Sequence, residues 1–165
     1  MADTLSIEEM NHELFQPLMD HVWSLEIDGV PAYLIKTASR PTIEIGETEM
    51  GWGNAPPRKV STGKLSFGGS LDIELWEAIN PSAAQLVMAW VRTHSDNVSG
   101  RAGYAAMYKR DILLSVADPM GNVVQRWLYK NCHITNADFS DLDHEGGELT
   151  NISLSISYDN CILLH

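Results

Sequence analysis

The amino-acid sequence predicts a mostly β subunit with one α-helix, folded as an antiparallel β-barrel or sandwich. Three observations support this: about eight stretches alternate apolar and polar residues, turn residues separate many of them, and one stretch alone has helical periodicity. A chain of 165 residues suits one domain with its own core. We therefore expect an N-terminal arm over residues 1–20 and a single β domain over residues 21–165.

The first two predicted strands surround an Asp-Gly turn. Residues 22–28 alternate apolar and polar, Asp28-Gly29 favours a tight hairpin turn, and residues 30–36 form the expected returning strand. Pro31 lacks a backbone N–H, which restricts the start of that return to an edge or bulge position. This pattern predicts a β-hairpin between neighbouring segments of the chain.

A long segment over about residues 40–59 differs from the rest of the chain. It is rich in glycine and proline, and only residues 42–49 alternate well enough to predict a strand. Extended excursions of this length are uncommon in compact domains and tend to be functional. We interpret the segment as a loop that serves contacts with other molecules, with Trp52 exposed on it.

Two further strands are predicted over residues 60–67 and 70–76. Side chains on a strand alternate between its two faces. In the second strand, Leu71, Ile73 and Leu75 therefore point to the core. Asp72 and Glu74 point to water.

One helix is predicted over about residues 81–96. Asn80 suits the N-cap, and Pro81 suits the first helical position. Apolar side chains recur at spacings of three and four and form one stripe: Ala83, Leu86, Val87, Trp90, Val91 and His94. We expect this stripe to pack on a sheet; a membrane or a partner groove is less favoured because the opposite face has few basic residues.

The C-terminal half is predicted to contain four strands, over residues 111–116, 123–130, 132–139 and 148–158, with a turn at residues 118–122. The last strand alternates serines with apolar residues, has no charge in its interior and is followed by an apolar segment, residues 161–164. Soluble monomers usually protect edge strands with charge, proline or bulges. We therefore expect the last strand to be a free edge that pairs with another copy.

Charge and motif content argue against chemistry by this chain. The net charge is −11 and the 11 Lys and Arg form no cluster larger than a pair, whereas nucleic-acid binders need a basic surface. The histidines lack metal-site spacing, the acidic stretch over residues 138–145 lacks a calcium-loop pattern, and no nucleotide or hydrolase motif occurs. Cys132 and Cys161 are predicted to be buried free thiols. We predict no catalytic, cofactor or metal residues, and hence a structural protein.

The sequence shows no targeting or membrane signal. No apolar run approaches the length of a membrane span, and the acidic N-terminus lacks the features of a signal peptide. We expect the chain to fold in a cytoplasm without a membrane anchor.

Several short sequence fragments, with a characteristic order and spacing, occur over about residues 13–159. Among them are Phe15-Gln16-Pro17, Ile27-Asp28-Gly29, Ala38-Ser39-Arg40-Pro41, Arg58-Lys59-Val60, Asn80-Pro81-Ser82-Ala83, Asp118-Pro119, Gly121-Asn122-Val123-Val124, Asp141-Leu142-Asp143 and Tyr158-Asp159. Each fragment is weak alone, but together they resemble the tail tube subunits of contractile-tailed bacteriophages, which are related in fold to the tube proteins of contractile injection systems.

The resemblance implies a β-barrel-like subunit whose inner strands join those of its neighbours into one continuous ring barrel. Rings of six copies would stack into a tube in the virion tail, with a sheath around it and baseplate, tube-initiator and tail-terminator proteins at its ends. DNA would pass through the lumen without specific binding. The arm and the 40–59 segment would contact neighbouring rings, which makes Trp52, Arg58 and Lys59 the expected inter-ring residues.

The lumen wall is predicted from strand alternation. In a ring, the water-facing side of the inner strands becomes the channel surface, which points to Asp72, Glu74, Ser153, Ser155 and Ser157. Three alternatives stay open: a tube-like baseplate or tail-end protein, the tube of an injection system, and a monomeric β-barrel that binds a small apolar ligand.

Overall fold

The computed structural model describes residues 17–164, so most of the predicted arm lies outside the described residues. Within these residues, nine strands, two helices and one 3-10 turn follow each other. The strands are β1 (Trp23–Ile27), β2 (Ile35–Ala38), β3 (Glu44–Met50), β4 (Arg58–Ser66), β5 (Leu71–Trp76), β6 (Arg110–Ala117), β7 (Val123–Phe139), β8 (Asn151–Ser157) and β9 (Asn160–Leu163). The helices are α1 (Ala83–His94) and α2 (Ala105–Tyr108), and the 3-10 turn is Ala32–Leu34.

Seven strands form the body of the domain in the order β1-β6-β7-β8-β5-β2, with β9 also paired to β7. Every strand pair is antiparallel. Strands β3 and β4 form a separate two-stranded sheet. The predicted fold class, a mostly β antiparallel subunit, is confirmed; the four-residue helix α2 was not predicted.

Strand β7 is a single 17-residue strand where the sequence predicted two. Its first half pairs with β6 and β9, and its second half pairs with β8. Asn131, at the boundary, has a φ of 57°, and the register with β6 shifts between Arg110 and Ile112. This irregularity bends β7, so that one strand belongs to two sheets.

The space between the sheets is filled by side chains from both sheets and from α1. The largest fully buried ones are Trp90, Tyr129, Leu25, Leu71, Ile73, Leu75, Ile112, Ile152, Ile156, Val87 and Cys132. The apolar faces predicted for β5, for the last alternating strand and for the helix are therefore confirmed. Cys132 and Cys161 are buried free thiols, as predicted.

Helix α1 begins at Ala83, so the predicted N-cap at Asn80 is wrong. Ser82 is the N-cap, and its hydroxyl accepts a hydrogen bond from the backbone N–H of Gln85. At the other end, the indole N–H of Trp90 donates to the Tyr108 carbonyl over 2.7 Å, which joins α1 to α2. Neither helix within residues 17–164 is long and apolar enough to cross a membrane.

Two predictions about strand neighbours are wrong: the hairpin between the first two strands and the free edge at the last alternating strand. Gly29 does make a turn, with a φ of 82°. However, β1 pairs with β6 and β2 pairs with β5, because the 3-10 turn at Ala32–Leu34 changes the direction of the chain before β2 begins. The last alternating strand, β8, is not an edge: it lies between β5 and β7. Strand β9, formed from the apolar segment after it, pairs with β7 of the same chain.

Candidate assembly surfaces

The β3–β4 hairpin is the most exposed element of the described chain. All of its residues except the half-buried Gly46 are exposed, and three large apolar side chains on it, Ile45, Met50 and Leu65, are at least 60% exposed. An isolated two-stranded hairpin is marginally stable in water. The segment predicted as a loop over residues 40–59 is thus the larger part of a hairpin that offers apolar surface to another molecule.

The three residues predicted to contact a neighbouring ring lie together at the outer end of this hairpin. Trp52 is 89% exposed in the connection between the strands. Arg58 and Lys59 open β4 opposite Met50 and Glu49. The Lys59 ammonium lies 3.9 Å from a Glu47 carboxylate oxygen, an exposed pair that contributes little to stability.

The five residues predicted to line a lumen share one face of the sheet β7-β8-β5-β2. Asp72 lies opposite Ser155 and Glu74 opposite Ser153 in the β5–β8 pair. Side chains at directly paired positions of an antiparallel sheet lie on the same face. Ser157 follows on that face by alternation along β8. We call this surface the polar face.

The two carboxylates on the polar face are engaged in contacts. Glu74 lies 3.2 Å from the Lys36 ammonium, which also sits 4.7 Å from the centre of the Trp76 ring. Asp72 accepts hydrogen bonds from the hydroxyls of Ser70 and Ser155, each over 2.9 Å. The expectation that both residues are simple solvent-facing charges is therefore incomplete, because each holds neighbouring strands or segments in place.

The sheet that bears the polar face ends in two free edges within residues 17–164. One is β2, which pairs only with β5, and the other is the half of β7 over residues 133–139, which pairs only with β8. Beside β2, a cleft of 730 Å³ is lined by residues of β1, of β2 and of the segments that precede each of these two strands. Free edges present unpaired N–H and C=O groups to an incoming strand.

Sequence reasoning missed the contacts between the residues that flank the β3–β4 hairpin and two buried tyrosines of the domain. The Tyr129 hydroxyl donates to the Ser39 carbonyl over 3.3 Å. The Phe67 ring lies 6.1 Å from the Tyr158 ring, which in turn lies 5.0 Å edge-on from Tyr129. Tyr129 lies 90 residues from Ser39, so the sequence carried no local signal for this contact beyond the general need of a buried tyrosine hydroxyl for a partner.

Histidine, cysteine and carboxylate side chains outside these surfaces were the other candidates for chemistry. Within residues 17–164, no group of three or more His, Cys, Asp or Glu could hold a metal ion. The rings of His94 and Tyr108 stack at 4.1 Å, with His133 edge-on to both. Burial raises the pKa of Cys132 to about 12 and that of Cys161 to about 11, which keeps both thiols protonated.

Comparison with solved structures finds this fold in contractile injection systems. A chain of the PVC sheath/tube terminator, from an extracellular contractile injection system, is 18% identical with a TM-score of 0.67, over 91% of this chain and 98% of that chain. A chain of the anti-feeding prophage cap is 17% identical with a TM-score of 0.68, over 96% and 98%. A chain of the PVC sheath-tube complex is 18% identical with a TM-score of 0.65, over 97% and 98%.

No protein-family model and no curated protein matches the sequence. At identities below 20%, the likeness to the three structures shows the fold alone. The chain has a fold that is found in contractile injection systems, and the resemblance inferred from its sequence fragments is confirmed at the level of the fold.

Proposed function

We propose that this chain is the tube subunit of a contractile bacteriophage tail, where stacked rings of six copies form the DNA conduit inside a sheath. The observation that supports this best is the combination, on a fold found in contractile injection systems, of a polar sheet face with two free edges and a largely exposed hairpin. None of these features serves the core of the isolated domain.

The order of the strands supports ring closure, because it allows the two edge strands of neighbouring copies to pair. The strands β7, β8, β5 and β2 alternate in direction, so β2 of one copy runs antiparallel to β7 of a copy placed beside it by rotation. Such a head-to-tail contact closes when the rotation closes. Six copies with four strands each would give a barrel of roughly 24 strands, wide enough to leave an open lumen.

The polar face would then form the channel wall. Serines give a hydrated surface without specific contacts, and the net charge of −11 repels phosphate at short range. DNA would slide past such a wall rather than bind to it.

The hairpin would serve stacking. Trp52 at its outer end is a large apolar side chain of the kind that dominates contact energies, and Arg58 and Lys59 beside it offer positive charge to an acidic neighbouring copy. Sheath, baseplate, tube-initiator and terminator proteins would be the remaining partners, with assembly in the host cytoplasm and the final location in the virion.

The direct test is assembly of the purified full-length chain. We expect sedimentation and negative-stain microscopy to show rings, and then tubes, as concentration rises or when a tube initiator is added. A chain that stays monomeric under all of these conditions would refute the proposal and favour a ligand-binding barrel.

A second candidate is the tube of a contractile injection system, which the three matched structures favour. The two functions differ in cargo, and the contact of DNA with the wall of a phage tube can be tested at Ser153 on the polar face. In phage particles, Ser153→Lys should slow DNA ejection at low salt more than at high salt, because it adds positive charge to the wall. Ser153→Asn is the neutral control; an unchanged ejection rate for both would place Ser153 away from the DNA path.

A further inference from the structure

The direction in which the β3–β4 hairpin projects is set by the two segments that connect it to the domain. Among the strands of residues 17–164, β3 and β4 pair only with each other. The connecting segments are residues 39–43, after β2, and residues 67–70, before β5. We call these two segments the hairpin base.

The backbone of Asp72 binds the first segment of the base. The N–H of Ser39 donates to the Asp72 carbonyl over 3.0 Å, and the N–H of Asp72 donates to the Ser39 hydroxyl over 2.9 Å. This pair of hydrogen bonds extends the contact between β2 and β5 by one residue and holds the start of the excursion against β5.

The side chain of Asp72 binds the second segment. Its Oδ1 atom accepts from the hydroxyl of Ser70 in the base and from that of Ser155 on β8. The two segments also touch each other, since a Cβ at Gly69 would lie 3.2 Å from the Cβ of Thr42. One carboxylate thus connects the hairpin base to the polar face.

We propose that Asp72 is a positioning residue that fixes the angle between the β3–β4 hairpin and the polar face. Because Ser39 directly follows the free edge strand β2, the same residue relates the edge that would close the ring to the hairpin that would stack rings. The assembly consequence rests on the function proposed above; the effect on hairpin geometry does not. In this role Asp72 acts through its hydrogen bonds rather than as a charge on the channel wall.

The test measures hairpin orientation in dilute, unassembled protein. Spin labels are placed on Thr48→Cys in β3 and on Val98→Cys, an exposed position outside the hairpin. The two native thiols are buried and do not compete for the label. Asp72→Ala should broaden the distance distribution between the labels at least twofold, whereas Asp72→Asn, which keeps an acceptor oxygen, should leave it narrow.

One control variant makes the outcome decisive. Asp138→Ala removes an exposed carboxylate that lies opposite Ser153 and has no hydrogen bond or ion pair within residues 17–164. It should leave the distribution narrow; equal broadening would mean that charge, not hydrogen bonding, is responsible, and would overturn the proposal. A narrow distribution for Asp72→Ala would overturn it as well.

If Asp72→Ala does not fold, the double variant Ser70→Ala plus Ser155→Ala removes the two donors and keeps the carboxylate. It should broaden the distribution; a narrow one would refute the role of Asp72. Wild-type protein that never assembles would refute the tube function, while the label distances would still decide whether Asp72 positions the hairpin.

Discussion

We expect replacement of Trp52 by alanine to weaken assembly while leaving the free energy of unfolding of the isolated subunit nearly unchanged. Truncating a buried tryptophan costs about 3–5 kcal/mol, but Trp52 is 89% exposed, so roughly a tenth of that, about 0.4 kcal/mol, is expected in the free subunit. In a stacked tube the same side chain would become an interface residue worth about 2 kcal/mol or more. A loss of 2 kcal/mol weakens association about 30-fold at 25 °C.

Thermal and denaturant unfolding of the monomer measure the first quantity, and sedimentation with negative-stain microscopy measures the second. We expect an unfolding free energy within error of wild type, together with tubes that are short or missing at concentrations where wild type assembles. Tyr104→Ala, at an aromatic residue outside the hairpin that is 82% exposed, is the matched control for assembly. A monomer destabilised by several kcal/mol would refute the reasoning, because Trp52 would then belong to the core.

Three further predictions concern the subunit itself. A Cβ at Gly103 would overlap the Thr93 carbonyl, so Gly103→Ala should lower the unfolding free energy by about 1–3 kcal/mol, whereas Gly147→Ala, with open space around it, should be close to neutral in the same denaturant titration. At pH 8 the native thiols should react with a thiol reagent far more slowly than the same two thiols in denaturant, and rapid reaction of native protein would contradict their burial. Hydrogen bonds from Lys130 and from the backbone N–H of Asn131 hold the pKa of Asp111 below its ordinary value. The contribution of Asp111 to the free energy of unfolding is therefore present above about pH 4 and is lost as the pH falls through the lowered pKa. Asp111→Asn should reduce the dependence of this free energy on acid pH, and an unchanged pH profile would show that the Asp111–Lys130 pair is unimportant.

Side-chain alternation predicted which residues face the core, but not which strands are neighbours. The pattern of Ile152, Leu154 and Ile156 was sufficient to define the buried face of β8, because alternation depends on the strand alone. Its central position in the sheet depends on β5 and β7, which are distant in sequence. The apparent edge character of β8 came from its lack of charge, and a central strand shares that feature.

The candidate surfaces were predictable to the extent that they depend on exposure. Glycine and proline around Trp52 indicated a segment without core contacts, and its exposure is confirmed. The contacts of Asp72 were not predictable, since they involve Ser39 and Ser155, which lie 33 and 83 residues away. The dipeptide Asp28-Gly29 predicted the turn correctly and the hairpin wrongly. A turn signal does not determine the path of the chain after Pro31.

The pairing of β1 with β6 has a consequence for synthesis. Strand β1 ends at Ile27, yet the strand that pairs with it within residues 17–164 begins at Arg110, and β5 pairs with a strand that begins at Asn151 as well as with β2. On a ribosome, β1 therefore emerges long before its partner strand, and among the strand pairs of the described residues the first half of the chain can form the β3–β4 hairpin and the β2–β5 pair. Completion of the core waits for the last strands, so a chain shortened before β8 is expected to aggregate rather than fold.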